Sequence, residues 1–215
     1  MILFEFFKKK KNKPEVIKPK LELTSILNEN IGKDDKVFFE KVVENITNND
    51  DLKEYFSVEC DVDFVNKETL LDKLNSLTEF TKSNYNLEPF ACDGAGGIYV
   101  ILNNKKIGYI DCEGEAGIVA NNLKDFFSIV ANCGYLSDYA KFKCLKDEKS
   151  FMDYFTEFET SREKDVIKKF IEDNSLDNDP KKIYKIFKNA ILTEPKLLLK
   201  ATSEDYVDYE QLFKF

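Results

Sequence analysis

The sequence predicts an α+β protein, a mainly antiparallel sheet flanked by helices and followed by a helical C-terminal extension. Seven of the eight glycines lie between Gly94 and Gly134, and the 81 residues from Tyr135 to Phe215 contain none. Turn-rich sheet and glycine-free helix are thus segregated along the chain. Short apolar strands separated by turn residues fill the glycine-rich stretch, and helical periodicity fills the rest. A hydrophobic content of 43% with 19 Phe and 10 Tyr supplies enough apolar surface for a packed core. The chain divides into a flexible basic leader (1–20), an α+β domain (21–144) and the helical extension (145–215).

Taken in order, residues 1–20 are rich in Lys and Pro with little to bury. The opening MILFEFF is read as a flexible tail, with a short membrane-surface anchor next to KKKKNK as the alternative. It has no preceding basic residue and no cleavage site, so a secretory signal is not expected. Lys36–Ile46 places Phe38, Phe39, Val42, Val43 and Ile46 at helical spacing, and Asn48–Asp51 stops the helix. Ser57–Val65 alternates Val58, Cys60, Val62 and Phe64 against Glu59, Asp61 and Asp63, which predicts a half-exposed strand. Lys67–Phe80 returns to helix with a Leu70, Leu71, Leu74, Leu77 stripe.

Gly97–Leu102 and Lys106–Ile110 are predicted strands joined by Asn103-Asn104, residues that tolerate the positive φ of a tight hairpin. Ile118–Ala120 adds a short third strand. Asn122 is placed to cap the next helix, with Asp125 at its third position and Leu123, Phe126, Phe127 and Val130 on the buried face. Beyond Cys144 four helices are expected: Lys149–Glu159, Ser161–Glu172, Pro180–Leu192 and Ser203–Phe213. Ser161, Asp179 and Ser203 serve as their caps.

The net charge is −8, unevenly spread. Residues 1–20 carry seven Lys against two Glu, residues 21–144 carry 12 basic and 22 acidic side chains, and residues 145–215 contribute −3. An acidic body repels phosphates, so nucleic acid is not an expected partner, whereas a basic protein is. No apolar run reaches the roughly 18 residues of a membrane-spanning helix. Five scattered cysteines without a CxxC pair point to reduced thiols in a cytoplasm, most of them in the core. The chain has no histidine. That removes His-based acid–base chemistry, Ser-His and Cys-His nucleophile pairs, and the commonest zinc ligand.

The turn of Gly94, Gly96 and Gly97 is not a phosphate loop, because it opens a strand rather than a helix and lacks GK[ST]. Asp111, Glu113 and Glu115 alternate just after a strand. They are compatible with a hard-cation site, with an acidic contact rim or with a solvated loop. The EF-hand pattern is absent. No SxxK or GxSxG occurs, and no pair of carboxylates stands out for glycoside hydrolysis. Tyr99, Tyr109, Tyr135 and Tyr139 cluster in the best-patterned region, as interface anchors or as packed sheet and helix residues. No cofactor or metal is expected.

One stretch resembles a known family. Pro89-Phe-Ala-Cys-Asp-Gly-Ala-Gly-Gly97, the strand bearing Tyr99, the strand Gly108-Tyr109-Ile110 and the helix Asn122-Leu-Lys-Asp-Phe-Phe127 resemble the SMI1/KNR4 (SUKH) superfamily over residues 68–135. Tyr135–Phe142 is similar to an aromatic stretch after that helix in some members. The resemblance implies a non-enzymatic α+β domain, most often an immunity protein that neutralises a bacterial toxin by direct binding, otherwise a regulatory scaffold. On that reading the partner is a basic toxin domain. The expected contact residues are an acidic and aromatic rim of Asp93, Tyr99, Tyr109, Asp111, Glu113 and Glu115.

Overall fold

The computed structural model describes residues 27, 31–103, 105–157 and 164–214. It is an α+β fold in which eight α-helices, counted among the described residues, surround a mixed but mainly antiparallel sheet. The leader, the expected cap Ser161 and Asn104 lie outside the described residues.

Helix α1 (Lys33–Thr47) buries Phe39, Val42, Val43 and Ile46, the predicted stripe. Asn49 ends that run by capping a short second helix, α2 (Asp50–Glu54), accepting from Leu52 N at 3.1 Å. Here the structure departs from expectation. Residues Tyr55–Glu59 continue α2 as a π-turn, closed by Cys60 N to Tyr55 O at 3.2 Å, instead of starting a strand. Tertiary anchoring overrides the alternating pattern. The Tyr55 hydroxyl donates to Ala131 O at 2.8 Å and the Cys60 thiol to Val130 O at 3.3 Å, while Val58 is left 71% exposed. Only Asp63 pairs in β fashion, exchanging both backbone bonds with Cys92. Helix α3 (Lys67–Thr78) follows, capped by Asn66, with Leu70 and Leu74 buried.

The central sheet is built from β2 (Leu87–Cys92), β3 (Ile98–Leu102), β4 (Lys106–Ile110) and β5 (Glu115–Ala120), preceded by the small strand β1 (Thr81–Ser83). Tyr99 faces Tyr109, and Val100 faces Gly108, across β3 and β4. Asn103 adopts φ 47° at the hairpin. Asn122 caps α4 (Leu123–Cys133), accepting from Asp125 N at 2.8 Å and donating back to the Asp125 carboxylate at 3.0 Å. The Asn122 side chain is thereby held by the residue whose N–H it caps, although its second bond runs from the side-chain amide and not from the backbone N–H as in a capping box. Phe126 packs edge-on to Phe90 at 5.3 Å, so α4 covers the face that carries Tyr99.

Helices α5 (Leu136–Lys141), α6 (Glu148–Glu157), α7 (Asp165–Asp173) and α8 (Pro180–Ile191) complete the helical part. Asp179 caps α8 as expected, with Pro180 opening the helix. The expected helix Ser203–Phe213 does not form. Leu199–Ala201 (β6) pairs antiparallel with β1, and Glu210–Gln211 (β7) pairs parallel with β5. The backbone of this segment finds its partners in the sheet instead of in itself, for example Glu210 N to Gly114 O at 2.8 Å and Leu212 N to Ala116 O at 2.9 Å. Leu197 lies over Gly108, where an added Cβ would come within 2.9 Å of its Cδ2. Neighbouring strand residues point to opposite faces, so Leu197 covers the face away from Tyr109. Both faces of the central strands are therefore buried, and one contiguous core runs from α1 to Leu212.

Candidate functional site

The glycine-rich turn between β2 and β3 is organised by one carboxylate. Asp93 Oδ1 accepts from Gly96 N at 2.7 Å and Gly97 N at 2.6 Å, and Oδ2 accepts from the Tyr109 hydroxyl. Asp93 is only 2% exposed. Gly97 is required by close approach, because a Cβ there would lie 2.5 Å from Asp93 Oδ2 and 2.6 Å from the Tyr109 oxygen. Asp61, held at φ 51°, extends the network by accepting from Gly94 N at 2.8 Å. Burial raises the Asp61 carboxyl above its ordinary value, opposed by the Gly94 bond and reinforced by the nearby Asp93 and Asp63 charges. Burial also drives the Tyr99 and Tyr109 phenols far upward, so both remain protonated. Among the described residues the Tyr99 hydroxyl meets no hydrogen-bond partner.

Next to this network lies a cleft of about 480 Å³. Its walls are the Ala95 turn, the β4–β5 turn, α5, and Leu212 with Lys214. The lining mixes signs: Asp111, Glu113, Glu115 and Asp138 share it with Lys141, Lys143 and Lys214, together with Tyr109 and Tyr135. Asp111 is a structural acceptor, since its Oδ1 takes Glu113 N at 3.0 Å and Glu115 N at 2.7 Å and so shapes the turn. Burial nevertheless lifts its carboxyl above the usual aspartate range. Glu115 pairs with Lys214 at 2.9 Å, and Lys214 also reaches Glu210 at 2.5 Å. Glu113 is exposed. With Asp111 and Glu115 so engaged, the alternating acids do not converge on a cation. Among the described residues no group of three or more His, Cys, Asp or Glu is placed to hold a metal ion.

The six expected rim residues therefore separate. Asp93, Tyr99 and Tyr109 are not on the rim but inside, because the sheet is covered on both faces and the Asp93–Tyr109 bond is enclosed beneath the glycine turn. Asp111, Glu113 and Glu115 do reach the surface together, on the β4–β5 turn.

A second acidic element lies beside them and was hidden by the expectation of a terminal helix. Val207, Asp208, Tyr209 and Glu210 line a groove shared with Cys112, Glu113, Gly114 and Glu115. Its signal was the segment Glu204-Asp-Tyr-Val-Asp-Tyr-Glu210, whose four acids and absence of any basic residue suit an exposed loop better than a packed helix. Among the described residues no helix is long and apolar enough to cross a membrane.

The class defined by these features is an α+β protein with a structural Asp–Tyr centre and an acidic outer edge. Compared with family models, with curated proteins and with solved structures, the chain matches none.

Proposed function

We propose that this is a cytoplasmic immunity protein that neutralises a basic bacterial toxin domain by direct binding, with no catalytic step of its own. The observation that carries the reading is the acidic edge formed by Glu113, Glu115, Asp208 and Glu210 along one groove, on a body of strongly negative charge. Clustered carboxylates there steer a cationic partner and repel nucleic acid phosphates. The buried polar centre is consistent with the same reading: both carboxylate oxygens of Asp93 are engaged by Gly96, Gly97 and Tyr109, as expected of a structural centre. The likeness of residues 68–135 to the SMI1/KNR4 superfamily adds the toxin as the class of partner.

The test is co-expression with the C-terminal toxin domain of a secreted protein encoded beside this chain. Growth should be restored, and the two proteins should co-elute as a complex on size-exclusion chromatography. Persistent toxicity without co-elution would overturn the proposal. Protection that persists after deletion of residues 1–20 would set it apart from a scaffold anchored by its basic leader.

A further inference from the structure

We propose that the loop Thr202–Asp208, together with Phe80 and the groove at the loop's foot, is the docking surface for an extended basic segment of the partner protein. That segment would carry an apolar side chain between lysines or arginines. The inference rests on the reading of the protein as a binder and names the surface and its chemistry.

The loop is held closed before any partner arrives. Its neck is fastened by Ala201 N to Asp208 Oδ1 at 2.8 Å and by Tyr209 N to Leu199 O at 2.9 Å. Thr202 donates to Phe80 O from both its backbone nitrogen, at 2.9 Å, and its hydroxyl, at 3.1 Å. The Tyr206 ring lies flat on Phe80, with centroids 4.1 Å apart and planes 4° from parallel. A surface fixed in this way loses little conformational freedom on binding.

What the loop holds in place is not core. Tyr206 is 43% exposed, Phe80 41% and Val207 85%. An isolated exposed apolar side chain is ordinary, but a stacked aromatic pair with an adjacent projecting Val has the make-up of an interface anchor. The surroundings select the partner. Glu204 and Asp205 are exposed immediately before Tyr206 in the loop, and Glu113, Glu115, Asp208 and Glu210 line the groove that Val207 also borders. No basic residue lies between Ala201 and Gln211. Lys214, bridging Glu115 and Glu210, fixes the wall of that groove. Carboxylates around an apolar tip favour alternating cationic and apolar side chains, and the open faces of Phe80 and Tyr206 suit a guanidinium. Phosphate-rich partners and anionic lipids are repelled.

The experiment uses the full chain and fluorescein-labelled peptides of about twelve residues, read by anisotropy at physiological salt. A peptide alternating Lys and Leu should bind at least about tenfold more tightly than one alternating Lys and Ser, and one alternating Glu and Leu should not bind. Val207→Asp, an exposed change whose unfolding midpoint should match the parent, should weaken the Lys/Leu peptide at least about tenfold. Tyr206→Ala should do likewise. Equal binding of the Lys/Ser and Lys/Leu peptides, or unchanged binding by both variants, would overturn the assignment. If parent and both variants neutralise a toxin equally, this surface is wrong and the proposed function stands. If the parent binds no toxin, the proposed function falls and the peptide result alone decides the surface.

Discussion

The Tyr109 hydroxyl donates to Asp93 beneath the glycine turn, with both residues almost wholly buried. The bond joins β4 to the residue that holds Gly96 and Gly97 in place, so one contact fixes the turn against the sheet. Removing the phenol leaves a buried carboxylate one donor short. Tyr109→Phe should lower stability by about 1.5–3 kcal/mol, the usual range for a hydrogen bond to a charged group. Urea denaturation should show a lower midpoint at unchanged slope, and an unaltered midpoint would mean that the bond contributes nothing net.

The acids of the β4–β5 turn are not equivalent, so their substitutions should separate by assay. Asp111→Ala removes the acceptor of two backbone N–H groups and should cost about 1–2 kcal/mol of stability. Glu113→Lys touches an exposed side chain and should leave the unfolding midpoint within about 0.5 kcal/mol of the parent. Its effect belongs in the association rate with a basic partner, a slowing that fades as salt rises. Stopped-flow mixing at two ionic strengths tests this, and a salt-independent rate for both proteins would refute it.

Thiol chemistry offers a separate check. Cys112 is exposed, whereas Cys60, Cys92, Cys133 and Cys144 are buried. Burial raises the Cys60 and Cys92 thiols and pushes that of Cys144 up to about 11. Since the thiolate is the reactive species, one equivalent should react quickly with Ellman's reagent in the native protein. All five should react in denaturant, and fast native reaction of two or more would contradict the packing.

Asp61 predicts a pH effect whose sign follows from its raised carboxyl. A group that binds its proton more tightly in the folded than in the unfolded state adds stability below its unfolded value and loses it as pH rises through the folded one. Asp61→Asn keeps an acceptor for Gly94 N without the charge. Its stability relative to the parent should be most favourable near pH 7 and should decline as pH falls toward the ordinary aspartate range. Urea midpoints of the two proteins at pH 7 and pH 4 decide it, and a relative gain for the variant on acidification would reverse the assignment.

Local chemistry was legible in the sequence wherever it acted locally. Asn122 with Asp125, and Asp179 with Pro180, cap the helices they were expected to cap, because the bonds span only three residues. The hairpin at Asn103 and the stripe of α1 were readable for the same reason. Long-range partners were not. Tyr55 turns Ser57–Glu59 into helix through Ala131, 76 positions away, and nothing near Ser57 announces it. Tyr99 and Tyr109 looked like rim residues because an antiparallel sheet commonly leaves one face wet. Helix α4 covers that face through Phe126, which packs on Tyr99 at 5.3 Å, and the docking of one element on another is not written in strand spacing. The acids of the β4–β5 turn were correctly placed outside. Their engagement with backbone and Lys214 depends on three-dimensional register, which spacing does not encode.

The pairing of β1 with β6 has a consequence in time as well as in space. Phe80 and Thr202 stand 122 positions apart, so the contact between them waits until nearly all of the described chain has been synthesised. Until Leu197 settles on Gly108, the nascent sheet presents an apolar face to its surroundings. Closing so long a loop comes before the reward of the contacts it makes, which slows folding relative to a helical bundle of similar size. The C-terminal segment is therefore a late but necessary part of the core, and a chain cut before Leu197 should leave the face at Gly108 uncovered.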